Sequence, residues 1–235
     1  YELTTKESTV EVMEAGQKKT ITKMEPTLRK NLVGMRGNGH GMGIGDINGD
    51  GYKDLLLGHG WYESPGKDCL TTTWKYHNDW QIHGSVPMLV YDVNNDGKND
   101  ILVGEAHAHG LYWWENQGEQ NGTIAFEKHL IDEKTSQLHA LHLADLNADG
   151  KPELITGKRY FAHNGGDKGA REPIEIVYYS IDRKTGTFSR HLIHQGRAGI
   201  GLQIRAADID GNGFVDIAVA GKSGTHILFN QGPRK

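Results

Sequence analysis

The chain has 235 residues, among them 32 glycines, 13 histidines and one cysteine, with a formal net charge of −4 and a mean hydropathy of −0.59. That length suits one well-buried domain, Cys69 alone excludes an internal disulfide framework, and no apolar run is long enough to cross a membrane. The glycine content suits a soluble, turn-rich all-β protein, and the lack of a basic stripe with interleaved aromatics argues against a nucleic-acid partner.

Residues 1–33 form an N-terminal segment without signal-like features, in which Leu28-Arg-Lys-Asn-Leu-Val33 reads as an outer strand. From residue 34 onward one nine-residue acidic loop returns four times, at Asp46–Asp54, Asp92–Asp100, Asp145–Glu153 and Asp208–Asp216. Apolar runs precede the later three loops at 87–91, 140–144 and 203–207, and runs follow all four at 54–58, 100–104, 153–157 and 216–220. Further strand-like stretches lie at 110–116, 174–179 and 225–230, and again at 126–131 and 188–193. Four strands per repeat make a propeller blade, so the expected fold is one all-β domain over residues 1–235, a β-propeller with blades at 34–83, 84–131, 132–193 and 194–235. The 28–33 strand would either close the three-stranded last blade into a small ring or belong to a larger propeller.

The loops have the chemistry of a cation site. Side-chain oxygens at positions 1, 3, 5 and 9 are Asp46, Asn48, Asp50 and Asp54; Asp92, Asn94, Asp96 and Asp100; Asp145, Asn147, Asp149 and Glu153; and Asp208, Asp210, Asn212 and Asp216. With the position-7 carbonyls of Tyr52, Lys98, Lys151 and Phe214, they can wrap a hard cation that takes six to eight oxygens, and calcium fits best. An EF-hand is excluded because position 12 is Leu57, Val103, Thr156 or Val219 where a bidentate Glu is needed, and because strands flank the loops. Twelve of the 30 acidic residues sit in these loops, so like charges crowd together unless a cation neutralises them. Up to four Ca²⁺ would therefore stabilise the fold, and would move the formal charge to about +4.

The pattern D-x-[ND]-x-[DN]-G-x-x-[DE] followed by a Leu/Ile-rich strand resembles the FG-GAP or VCBS repeat, known from integrin α-subunit propellers and bacterial secreted proteins; the resemblance covers about residues 34–230. It implies blades whose calcium loop joins the first and second strands, in a secreted or periplasmic protein. Such propellers host adhesion, lectin and enzyme functions, so the resemblance leaves the activity open.

The first strand runs into the loop and the second runs out of it, so the opposite face gathers the start of one and the end of the other. Asn38, His40, His139, His142, Gln203 and Arg205 stand at the starts, and His59, Trp61, Glu63, Glu105, His107, His109, Lys158, Arg159, His163, Lys222 and Ser223 at or beyond the ends. His59, His107, His109, His139, Lys158, His163 and Arg205 are the candidate catalytic groups, and His40, Trp61, Glu105 and Lys222 the candidate substrate contacts. If the strand ran past Gly104, Glu105, His107 and His109 would share one face and could hold Zn²⁺ or Mn²⁺ with His59 or His139; if it stops there, they form a loop. His129 and His191 read as blade-edge structure, and the Trp113-Trp114 pair puts one ring on each face of its strand. Two functions compete. One is a carbohydrate-active enzyme working by acid–base elimination, dehydration or isomerisation, as a sugar lyase or dehydratase would. Around Gly58–Glu63, Trp113–Asn116 and Ser136–His139 the sequence is loosely similar to the propeller domain of aldos-2-ulose dehydratase and bacterial secreted relatives. The other is a non-catalytic module that binds carbohydrate or protein.

Overall fold

Every acidic loop joins two short antiparallel strands, and the second strand begins on the last loop residue. The structure is a computed structural model that describes residues 2–37, 41–82 and 87–233; Asn38, His40 and His83 lie outside the described residues. After a hairpin of β1 (Glu2–Glu14) and β2 (Gln17–Arg29), the first blade is β3 (Gly43–Gly45), β4 (Asp54–Leu57), β5 (Gly60–Glu63) and β6 (Lys75–His77). The second is β7 (Leu89–Tyr91), β8 (Asp100–Gly104), β9 (His109–Gln120) and β10 (Thr123–Ser136). The third is β11 (His142–Ala144), β12 (Glu153–Gly157), β13 (Glu175–Asp182) and β14 (Thr187–Gln195), and the fourth is β15 (Ile204–Ala207), β16 (Asp216–Gly221) and β17 (Gly224–Leu228). All neighbours within a blade are antiparallel, and the strands follow chain order from the inner edge outward.

The second strands read as continuous apolar runs because both of their faces are covered. Alternation sends Ile101 and Val103 of β8 into the core shared by the first two blades, with Ile47, Leu56, Trp61 and Met88. Leu102 goes to the opposite face, into a core with Leu138, Leu154, Val177 and Tyr179. Ile155, Ile176, Ile200, Ile217 and Val219 fill the third core, between the last two blades. Trp113 belongs to the second core while Trp114 packs against the first, one ring on each face as alternation requires. Adjacent inner strands approach closely, since a Cβ on Gly45 would lie 2.3 Å from Cβ of Val90.

Two readings of the sequence are corrected. The 28–33 segment supplies no blade strand. Leu28 pairs with Leu3 inside a separate two-stranded hairpin, turned by Ala15 (φ 51°) and Gly16 (φ 80°), as in a type I′ turn. Val33 meets the first blade through its carbonyl, which accepts the Trp74 N–H at 2.8 Å. In the first blade the chain reverses directly after Leu57, which pairs with Gly60. Trp61 and Glu63 therefore travel outward on β5, away from the inner face.

Candidate functional site

The four loops repeat one backbone-capping scheme. The position-6 N–H donates to the position-1 carboxylate at 2.8, 3.2, 2.8 and 2.9 Å, from Gly51, Gly97, Gly150 and Gly213. The position-7 N–H donates to position 5 at 2.8, 2.9, 2.9 and 2.8 Å. The carboxylate at position 9 takes the N–H of position 2 at 3.0, 2.9, 2.8 and 2.9 Å. Asp54, Asp100 and Asp216 also accept an N–H from the third strand or just beyond it, donated by Ser64, Asn116 and Asn230. Burial pushes the Asp54 and Asp100 carboxyls up to about 6. It raises Glu153 too, whereas the N–H of Asn230 holds Asp216 low despite desolvation.

This donor set fits a calcium ion. One oxygen from each of Asp208, Asp210 and Asp216 lies within 4.8 Å of the others, and the glycine at position 6 has φ between 84° and 89° in all four loops. Position 4 is left-handed as well, and there Ala148 (φ 60°) stands where Gly49 and Gly211 stand elsewhere. An alanine pays roughly 1–2 kcal/mol for that conformation. Ala148→Gly is therefore expected to raise stability by up to about 1 kcal/mol, with a Tm gain of a few degrees in a thermal melt.

On the opposite face the extended connection between β12 and β13 folds back over the second blade. Asp167, from that connection, accepts on one oxygen from Nδ1 of His107 at 3.2 Å and Nδ1 of His163 at 2.9 Å. Its own burial opposes charge, but these two hydrogen bonds prevail and hold its carboxyl below the ordinary range. The His107 ring lies 4.7 Å from His163 and 5.1 Å, edge on, from buried His139. His139 is turned by the contact of its Nδ1 with the Gln137 carbonyl at 3.3 Å. His109 pairs instead with Glu172 at 3.0 Å. The connection is held down by Gln137, which donates to the Lys168 carbonyl, and by Lys222, which donates to that of Phe161. Phe161 (φ 45°), His163 (φ 45°) and Asn164 (φ 55°) are all left-handed, a strain of order 1–3 kcal/mol each that the surroundings must hold in place.

Lys158 directly follows β12 with 2% of its surface exposed, and its ammonium donates to the Arg159 carbonyl at 3.3 Å. Burial lowers its pKa, against the pull of Glu172 and Glu175. Burial also disfavours the charge of Arg159, which Asp167 offsets.

Of the candidate residues, the fold brings together His107, His139 and His163 and sets His109, Lys158 and Arg159 on elements around them. The three-ligand strand of Glu105, His107 and His109 does not form, because β8 ends at Gly104 and Glu105 N–H closes a turn onto the Gly110 carbonyl at 2.7 Å. Trp61 is 2% exposed, stacked on His77 and bonded to Asp79, so no sugar can reach its ring. His59 accepts the Tyr76 hydroxyl through its backbone carbonyl, and Arg205 donates to the Ile204 carbonyl at 3.0 Å, on another blade from the cluster. Burial and the Arg205 charge lower the His142 pKa. His129 and His191 are edge residues, the first tilted against Trp113 and the second stacked on Tyr178. The sequence reading omitted Asp167 and Glu172; their signal was the density of charge in the long 158–174 connection.

Antiparallel sheets ranged as blades around shared cores, with an acidic loop between the first two strands of each, define a β-propeller. The repeat described as FG-GAP-like matches residues 92–156. The blades and this match together support an FG-GAP type of β-propeller. The chain is 25% identical over 151 residues to integrin alpha-PS3 of Drosophila melanogaster, covering 56% of this chain and 13% of that protein. With integrin alpha pat-2 of Caenorhabditis briggsae it shares 29% over 224 residues, 79% of this chain and 18% of the relative. With phosphatidylinositol-glycan-specific phospholipase D of Bos taurus it shares 25% over 175 residues, 60% of this chain and 20% of the relative. The alignments thus span a fifth or less of these relatives' own lengths. Among the described residues no helix is long and apolar enough to cross a membrane.

Proposed function

We propose that this is a calcium-stabilised propeller of a secreted or periplasmic protein whose histidine-rich face carries out acid–base chemistry on a carbohydrate. The observation that carries the reading is the pairing of two imidazoles from different blades on one low-pKa carboxylate, Asp167. An ionised carboxylate only accepts, so each Nδ1 donates to it and each Nε2 is left as the basic nitrogen. One imidazole would take the proton from carbon next to a carbonyl or carboxylate. The positive charges of Lys158 and Arg159 would stabilise the enolate, and the second ring, as imidazolium, would protonate a departing hydroxyl. The result is loss of water and a new double bond; return of the proton to a different carbon gives isomerisation. The acidic loops, which would fill in a calcium-rich compartment, and the integrin relatives support the location.

A second reading, ligand binding without turnover, is favoured by the relatives, which include integrin α-chains as well as a phospholipase. One assay separates the two. Calcium-loaded protein is incubated with uronic-acid polysaccharides and 2-keto sugars while ultraviolet absorbance follows the conjugated product. Turnover that falls by roughly 10²–10⁴-fold in His163→Ala is the expected result. Saturable binding with no product selects the second reading, and neither binding nor product removes both.

A further inference from the structure

We propose that His107, His163 and Asp167 form a transition-metal site of the zinc class, separate from the calcium loops and drawn from two blades. One ligand atom from each of the three lies within 4.8 Å of the other two. Zinc bonds of about 2.0–2.1 Å arranged tetrahedrally place neighbouring ligand atoms roughly 3.3–3.5 Å apart. The two Nδ1 to Oδ2 separations, 3.2 and 2.9 Å, fall just inside that edge length, so a metal could replace the two shared protons after small rotations of the rings. Imidazole nitrogens paired with one carboxylate favour zinc over calcium or magnesium, which prefer all-oxygen shells. The backbone supplies a second observation. The turn that delivers His163 holds non-glycine residues 161, 163 and 164 in the left-handed region, and Lys222 ties down the Phe161 carbonyl at its start. Such strain is expected where a turn must aim one side chain at a fixed point.

His163 keeps 53% of its side chain exposed while Asp167 keeps 12%, so the trio is closed beneath and open to solvent above. Three protein ligands with an open fourth position are the arrangement of catalytic rather than structural zinc. His139, edge on to His107, stands beside it and would either support that ring or complete the shell. The inference rests on the site of the acid–base reading in a metal-bound form, where each ring coordinates through Nδ1 and carries its proton on Nε2, and its test needs no substrate.

Zn²⁺ alone is titrated calorimetrically into the full chain in excess calcium, which keeps the acidic loops filled, and Co²⁺ is added in parallel as a visible probe. Expected are one site per chain, a tetrahedral cobalt spectrum, and zinc affinity at least about 100-fold weaker in His163→Ala and Asp167→Ala but unchanged in His109→Ala. His163→Gln and Asp167→Asn serve if the alanine variants fail to melt cooperatively. No zinc binding by the parent chain, an octahedral cobalt spectrum, or unchanged affinity in the His163 and Asp167 variants overturns the site. Zinc binding without sugar turnover keeps the site and removes the catalytic reading; turnover by protein that binds no zinc does the reverse.

Discussion

Chelation of calcium with EGTA is expected to lower the melting temperature by roughly 20–40 °C. A ligand present at a hundred times its dissociation constant stabilises the native state by about 2.7 kcal/mol per site. For a chain of this size one kcal/mol moves Tm by about 2–4 °C. Four filled loops would thus supply an amount comparable to the whole stability of an ordinary domain, about 5–15 kcal/mol. The local reason lies in the carboxylate at position 9. Asp54, Asp100 and Asp216 are fully buried at the start of a central strand, where each holds the loop to the strands behind it. Asp54 and Asp100 have their charge disfavoured by that burial, and like charge is added by Asp46 and Asp50 in the first loop and by Asp96 in the second. A divalent cation would remove both penalties at once. Calorimetric melts in calcium, in EGTA and after calcium is restored measure the effect; a melt that EGTA moves by less than about 2 °C would end the structural role proposed for the ion.

The legible part of this protein was what repeats. The acidic spacing, the glycine at position 6 and the apolar runs on either side recur with every blade, and runs covered on both faces can only be central strands of packed sheets. Trp113 and Trp114 could be assigned to opposite faces from alternation alone. What occurs once was harder to read. The third strand of the first blade, Gly60–Glu63, is only four residues long and follows a tight reversal, so Trp61 looked like a continuation of β4 instead of core. The hairpin at 2–29 mixes charged, polar and apolar residues, lies outside the packed cores and gives no periodic signal. The candidate site depends on a fold-back across 60 residues, from Asp167 to His107, and no local spacing records such a contact. The histidines were visible as a group because they fall near the strand ends; the carboxylate that organises them was not.

Replacement of Lys158 by methionine is expected to stabilise the protein and to abolish the proposed ligand chemistry together. The side chain is 2% exposed and burial disfavours its charge, so the ammonium is held in the fold at a cost that a methionine of similar length would not incur. Glu172 and Glu175 offset part of that cost through charge, and the Arg159 carbonyl accepts its hydrogen bond. Replacing a buried charge by a well-packed apolar group of similar volume commonly gains on the order of 1–4 kcal/mol. A Tm increase of roughly 2–16 °C at neutral pH follows. The sign of the pH dependence separates this cause from better packing. A lysine whose folded pKa is depressed destabilises the fold fully below that pKa, and the penalty fades as pH rises towards its ordinary value of 10.5. The advantage of Lys158→Met should therefore be largest near neutral pH and shrink in the alkaline range. A gain that stays constant up to pH 10.5, or a loss of stability at neutral pH, would show that Lys158 is a packing residue. If the Tm rises while sugar turnover or binding disappears, the charge at the end of β12 is maintained against stability for the sake of the ligand, as expected for a group that faces a developing negative charge.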